Sequence, residues 1–237
     1  MIDFHSHILL GIDDGSRDTE MSLTMLRMEQ EQGVEAVVAT PHFYAQQDSV
    51  KNFLKRRERS MHRLMEVSER EEQIQMPIYL GAEVYYFRGI GEGTLIRELC
   101  IQNSRILLLE LPFCQWESYI YDDIVRLVRD QKLTVILAHV ERYHKLQKNR
   151  EIWNAVMELP VHIQLNTGPF LDWKKRSRSI RIMREQGTVL LGSDTHNLTS
   201  RSPNLAQACE IIRSKAGAAY VEKTEKLGHH LLEEILQ

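Results

Sequence analysis

Seven short apolar runs, each followed within two residues by a polar side chain and most separated from the next by a longer segment with helical spacing, limit the folds open to this chain. The runs are Ile2 to Phe4, Ala36 to Thr40, Ile78 to Ala82, Ile106 to Leu109, Thr134 to Ala138, Val161 to Leu165 and Thr188 to Ser193. Between them the spacing predicts helices over Asp18–Gln32, Asp48–Glu72, Leu95–Cys100, Glu117–Gln131, Gln147–Leu159 and Trp173–Gln186, with two more at Ser202–Lys215 and Tyr220–Leu236. Met21, Met25 and Met28 mark the buried face of the first, and Val50, Phe53, Leu54, Met61, Leu64 and Met65 that of the second; Gly33 and Gly187 act as stops. Strands alternating with helices make parallel sheet. Seven units predict an α/β fold, a distorted (β/α)7 TIM-like barrel, in one domain over residues 1–237.

In such barrels the carboxyl ends of the strands share one mouth. Those ends carry His5 and His7, His42, Glu83, Glu110, His139, Asn166, and Asp194 with His196. Strand alternation sends His5 and His7 to the same side, and a glycine-bearing turn returns Asp13 and Asp14 to them. A single buried His or Glu is usually structural. Several carboxylates desolvated together are different, because each bare buried ion costs several kcal/mol and the set demands cations. Arginines could supply that charge, but histidines outnumber them at these strand ends. Nitrogen and oxygen donors without thiolate favour zinc, manganese or iron(II) and disfavour calcium. So many donors exceed one coordination sphere, so two or three ions are expected. Such centres make a hydroxide near neutral pH and hydrolyse esters.

Other classes find little support. A net charge of −3 over 237 residues does not suit a nucleic-acid binder. The longest apolar run, Ile106 to Cys114, is broken by Glu110 and is too short to cross a bilayer; no basic, apolar leader opens the chain. Cys100, Cys114 and Cys209 are too few and too scattered for a disulfide framework, so a cytoplasmic setting is expected. A cysteine phosphatase needs arginine six residues after its nucleophile, where this chain has Ile106, Ile120 and Lys215.

The opening Asp3-Phe-His-Ser-His7 with Asp13-Asp14-Gly15, then Gly81-Ala-Glu83-Val-Tyr-Tyr86, Ala138-His139-Val-Glu-Arg142-Tyr143 and Ser193-Asp194-Thr-His196-Asn197, resemble the polymerase and histidinol phosphatase (PHP) superfamily. Within it, the chain resembles the manganese-dependent bacterial protein-tyrosine phosphatases of capsular and exopolysaccharide loci. Leu10, where proline is common, and Arg201-Ser-Pro203, where Arg-Pro-Pro is frequent, are departures that touch no ligand position. The resemblance implies a first ion on His5, His7, Glu83 and Asp194, a second on Glu83, Glu110 and His139, and a third on Asp14, His42 and His196. It implies Mn2+, with Fe2+, Zn2+ or Mg2+ as alternatives, and assigns Arg142 and Arg201 to the phosphate. The implied substrate is the phosphotyrosine tail of a bacterial tyrosine kinase controlling polysaccharide assembly. Two rival readings are a small-molecule phosphomonoesterase such as a histidinol phosphatase, and a metal-stabilised binding module without turnover.

Three further features need a role. The run Lys55-Arg56-Arg57-Glu58-Arg59 reads as a solvated helix face, while Lys174-Lys175-Arg176-Ser-Arg178 lies near the mouth, where it could meet an acidic phosphopeptide. Phe43, Tyr44, Tyr85, Tyr86 and Phe87 follow ligand positions, as core or as an aromatic rim.

Overall fold

The computed structural model describes residues 1–71, 74–102 and 104–236. Strand β1 (Ile2–Ser6) leads to helix α1 (Thr19–Glu31), β2 (Ala36–Ala39), β3 (His42–Phe43) and α2 (Val50–Glu71). Strands β4 (Ile78–Leu80) and β5 (Glu83–Tyr85) follow, then β6 (Ile106–Glu110), α3 (Ser118–Arg129), β7 (Thr134–Leu137), α4 (Glu151–Met157) and β8 (His162–Asn166). The chain continues through α5 (Gly168–Leu171), α6 (Arg176–Gln186), β9 (Leu190–Gly192), α7 (Leu205–Lys215) and α8 (Ala218–Leu236). The expected end of the second helix at Glu72 lies outside the described residues, and the expected segment Leu95–Cys100 is a 3-10 helix over Thr94–Leu99.

All ladders are parallel, in the order β1-β2-β4 and β3-β5-β6-β7-β8-β9. The result is a mixed α/β fold of parallel sheets, one curled into half a barrel, where one closed (β/α)7 ladder was expected. Two breaks explain the difference. Pro41 has no N–H to give the ladder, so the second expected strand, Ala36 to Thr40, stops at β2 and a separate β3 follows it; the third, Ile78 to Ala82, stops at β4 before Gly81-Ala82 and a separate β5 follows. At the seam between β1 and the end of β9 the pairing shrinks to one bridge, Ser6 with Thr195. Asp194 N–H donates to His5 O at 2.7 Å there, and His7 N–H to Thr195 O at 2.9 Å.

Alternation along the strands serves two cores. Leu107 and Leu109 join the large cluster under the outer helices, whereas Ile106 and Leu108 join Phe4, Val38 and Ile136 in a second cluster that Leu231 and Ile235 of α8 help to fill. Covering both faces explains why the strand runs are continuously apolar. Helix faces differ in detail from expectation. Met28 is only half-buried and Glu29 takes the buried place beside Met25 and Leu26. On α2, Met65 is exposed, while Arg57 leaves the expected solvated face, is buried, and donates to Gly81 O at 2.7 Å.

Candidate metal centre

The side chains at the strand ends converge. His5 on β1 and His7 just past its end, both fully buried, bring their Nε2 atoms to 3.1 Å of each other. Each ring is oriented from behind: His5 Nδ1 lies 3.2 Å from Gln164 Oε1, and His7 Nδ1 lies 2.7 Å from Asp13 Oδ2. With the Nδ1–H groups donating to these oxygens, both Nε2 lone pairs face one point. Two lone pairs at that separation repel unless a proton or a cation lies between them.

Glu83, at the start of β5, is the hub. Its Oε1 is 2.7 Å from His139 Nε2; its Oε2 is 3.1 Å from His5 Nε2, 3.3 Å from His7 Nε2 and 2.9 Å from His42 Nδ1. No approach to Oε2 has hydrogen-bond alignment, so this buried oxygen has no partner, and neither have His42 Nδ1, His139 Nδ1 and His196 Nε2. Buried polar atoms are rarely left so. Glu110 Oε1 stands 3.3 Å from His139 Nε2, and the exposed Asp14 reaches His196 Nε2 at 3.4 Å and His42 Nε2 at 3.6 Å. Three overlapping sets of donor atoms lie close enough to share an ion: His7, Asp14, His42 and His196; His5, His7 and Glu83; and His42, Glu83 and Glu110. The donors are imidazole and carboxylate, a set that fits divalent transition ions.

Asp194 stands at the edge of this cluster, 3.5 Å from His5 Nε2 and 3.4 Å from His7 Nε2. Arg142 Nη2 and Arg201 Nη2 each reach it at 2.6 Å, and Asn166 Nδ2 donates to it at 2.5 Å. His139 and Asp194 both have left-handed backbones, with φ of 32° and 52°. Non-glycine residues seldom adopt that conformation, and where they do it often serves a site.

Electrostatics follow the geometry. Burial would raise the Glu83 carboxyl, but the His5 charge and the His139 and His42 contacts outweigh it and hold it well below the usual range. Asp194 is likewise opposed by burial and held low by His5, His7 and Arg142. Burial would lower His139, yet Glu110 and Glu83 bring it up to about 9. His196, buried and facing His7, falls to about 4. Glu83 and Asp194 are thus held ionised, and a cation must compete with a proton for His139 but not for His196.

All nine expected ligand positions come to this cluster, and Arg142 and Arg201 border it. His42, expected only beside Asp14 and His196, also faces Glu83. Asp13 and Gln164 were not assigned. Gln164 was visible as an amide between Ile163 and Leu165 in an apolar strand; for Asp13 nothing in the sequence separates it from Asp14. Of the aromatics, Phe43 and Tyr86 are buried, whereas Tyr44 and Tyr85 pair at 5.5 Å on the rim. Phe113, 47% exposed, stacks over His139 at 5.9 Å.

The profile of a family described as capsular polysaccharide synthesis, CpsB/CapC, matches residues 1–228. The chain is 29% identical to the tyrosine-protein phosphatase CpsB of Streptococcus pneumoniae, across 92% of each chain. It is 28% identical to the CpsB of Streptococcus agalactiae serotype III, across 96% of this chain and 98% of that one. Its fold matches a solved structure from work on YwqE of Bacillus subtilis and CpsB of S. pneumoniae, described as unique metal-dependent tyrosine phosphatases. The TM-score is 0.78 at 23% identity, over 95% of this chain and 92% of the other.

Proposed function

This chain belongs to the CpsB/CapC family of capsular polysaccharide synthesis, and from that premise we propose that it is a metal-dependent tyrosine-protein phosphatase. The observation that carries the reading is the meeting of Arg142 and Arg201 on Asp194, at the edge of the buried His and Glu cluster and on the wall of an open cavity.

His5, His7, Glu83 and Asp194 hold one ion in this reading, Glu83, Glu110 and His139 a second, and Asp14, His42 and His196 a third; Mn2+ is the ion proposed, with Fe2+, Zn2+ and Mg2+ as alternatives. When bound, such ions act as Lewis acids and lower the pKa of water toward about 7. The rest is work for the chain itself. Arg142 and Arg201 present planar forks that match two phosphoryl oxygens at once and take up the charge that develops on them. Phe113 and the Tyr44–Tyr85 pair offer ring faces to the substrate's phenol. Gln164 and Asp13 keep the His5 and His7 rings turned inward.

The substrate we propose is the phosphotyrosine tail of a bacterial tyrosine kinase that controls capsule or exopolysaccharide synthesis, met in the cytoplasm; the family's association with capsular polysaccharide supports it. Among the described residues no helix is long and apolar enough to cross a membrane. The two sheets work as one distorted (β/α)7 barrel, in a single domain over 1–237.

Phosphate release from a phosphotyrosyl peptide and from histidinol phosphate, by chelator-stripped protein before and after Mn2+ is restored, tests the reading. Metal-dependent turnover with the peptide preferred is the expected result. Preference for histidinol phosphate would assign the site to small-molecule chemistry, and no turnover of either would leave a binding module. Arg142→Ala is expected to lower kcat/KM by about 100-fold or more while metal content stays the same.

A further inference from the structure

The cavity beside the cluster is larger than a phosphoryl group needs. Its volume is about 660 Å3, within the range of pockets that enclose whole small molecules. Arg142, Asp194 and Arg201 line its reacting end, and the rest of the wall comes largely from α5, α6 and the residues joining them.

Lys175 and Arg178 line that second part together with Asp172, which is engaged by Lys175 Nζ at 3.2 Å and by the Lys174 N–H at 2.9 Å; the buried Glu141 is the other acid on the cavity wall. The basic run beside the mouth divides its labour. Arg176 turns back to donate to Phe170 O at 2.6 Å and Leu171 O at 3.1 Å, which ties α6 to α5, and Lys174 lies over the Trp173 ring at 5.3 Å. Arg178 is half-buried, lines the cavity, and makes no ion pair among the described residues. Next to it Ser179 is 1% exposed and its Oγ has no hydrogen-bond partner; Asn204 Oδ1, on the same wall, has none either. A half-buried guanidinium with no ion pair among the described residues, beside a buried hydroxyl without a hydrogen-bond partner, is a combination that suits an anion.

We propose that this wall is a second anion-binding subsite, in which Arg178, with Lys175 and the Ser179 hydroxyl, receives an acidic side chain flanking the scissile phosphotyrosine. The inference rests on the phosphatase reading and deepens it. The enzyme selects phosphotyrosines set among carboxylates or among further phosphotyrosines, the shared chemistry being an anion in the same peptide. Neutral flanks leave Arg178 unpaired.

The test compares kcat/KM on phosphotyrosyl peptides with neutral flanks, with Asp/Glu flanks and with a second phosphotyrosine, alongside p-nitrophenyl phosphate, which has no flanks. Wild-type protein should favour the acidic peptides by about fivefold or more, with the preference shrinking as salt rises. In Arg178→Gln and in the Lys175→Gln/Arg178→Gln pair the ratio of acidic to neutral should fall toward one, and Arg178→Lys should keep a large part of it. The arm with the larger ratio identifies whether carboxylate or phosphate is the preferred flank. Equal turnover of acidic and neutral peptides by wild-type protein, or an undiminished ratio in the glutamine variants, overturns the subsite and leaves the phosphatase standing. Failure to turn over every substrate, p-nitrophenyl phosphate included, removes both.

Discussion

Asp13 works one layer behind the proposed ions. Its Oδ2 accepts from His7 Nδ1 at 2.7 Å and from the His42 N–H at 3.0 Å, so one carboxylate fixes two imidazole-bearing positions. Burial opposes its ionisation, but the His7 charge and these hydrogen bonds hold it down at about 2. Asp13→Asn keeps the shape and loses the charge that keeps His7 Nδ1 protonated. Metal titration of the stripped protein should show affinity reduced by about 10- to 100-fold; an unchanged affinity would relegate Asp13 to packing. Its neighbour Asp14 points outward and reaches His196 and His42, a division of roles that adjacent identical residues in a turn cannot announce. Away from the centre, His162 on β8 is half-buried, and burial, helped by His230 and opposed by Glu234, lowers its pKa. The sign follows from linkage: the unfolded chain binds the proton first, so this residue's penalty is absent above about pH 6.5 and grows as pH falls below it. Melting curves of wild-type and His162→Gln protein should therefore diverge in the variant's favour between about pH 7.5 and 5.5, whereas a gap constant with pH would refute the assignment.

The elements carry the site because two glycines let them approach closely. A Cβ at Gly15 would lie 2.3 Å from His7 O, and one at Gly192 on β9 would lie 2.5 Å from His5 Cβ. Backbone cannot move aside as a flexible side chain can. Gly15→Ala should therefore cost about 1–3 kcal/mol in denaturant unfolding and push His7 out of register, lowering metal uptake with it. By contrast a Cβ at Gly228, within α8, meets Phe4 Cε2 at 3.3 Å and Ile2 side-chain atoms at 3.8 and 3.9 Å, and the helix propensity gained there, about 1 kcal/mol, offsets the crowding in Gly228→Ala. At this scale the sequence was most legible. Strand order, helix order and the polar ends of strands follow from period and punctuation, since a strand covered on both faces must be continuously apolar until it reaches the mouth. The breaks were less so: Pro41 read as the close of its strand and Gly81 as the interior of the next, whereas the strand ends before Gly81 and pairing resumes beyond both through Glu83 N–H to Pro41 O at 3.1 Å. Glu29 was missed because its burial on α1 beside Asp3 is set by tertiary packing; that burial first, and the Asp3 charge second, raise it well above its usual value, and local periodicity does not carry that information.

Across the whole molecule the proposed centre joins the two ends of the chain. His5 comes from β1 and His7 from just past its end, Asp194 and His196 from the segment after β9, Glu83 and Glu110 from β5 and β6, and His139 from just past β7. The ladder at this seam is a single bridge between Ser6 and Thr195, so the contact between first and last strands depends on a few hydrogen bonds and on whatever charge balances the cluster. An ion held by both sides would therefore act as a clasp at this joint of the sheets. By mass action, metal at about a thousand times its dissociation constant stabilises by about 4 kcal/mol, which for a chain of this size raises Tm by about 10 °C. Chelation should remove that increment, restoration of Mn2+ should return it, and His7→Ala should abolish the response in both directions. Hydrogen exchange locates the effect: protection lost on chelation should concentrate in residues 2–8 and 193–201 and leave β6 and β7, buried and fully paired, close to their original rates. Uniform loss over all strands would mean that the ion stabilises the fold as a whole, and an unchanged Tm would mean that the carboxylates and imidazoles hold the seam by themselves.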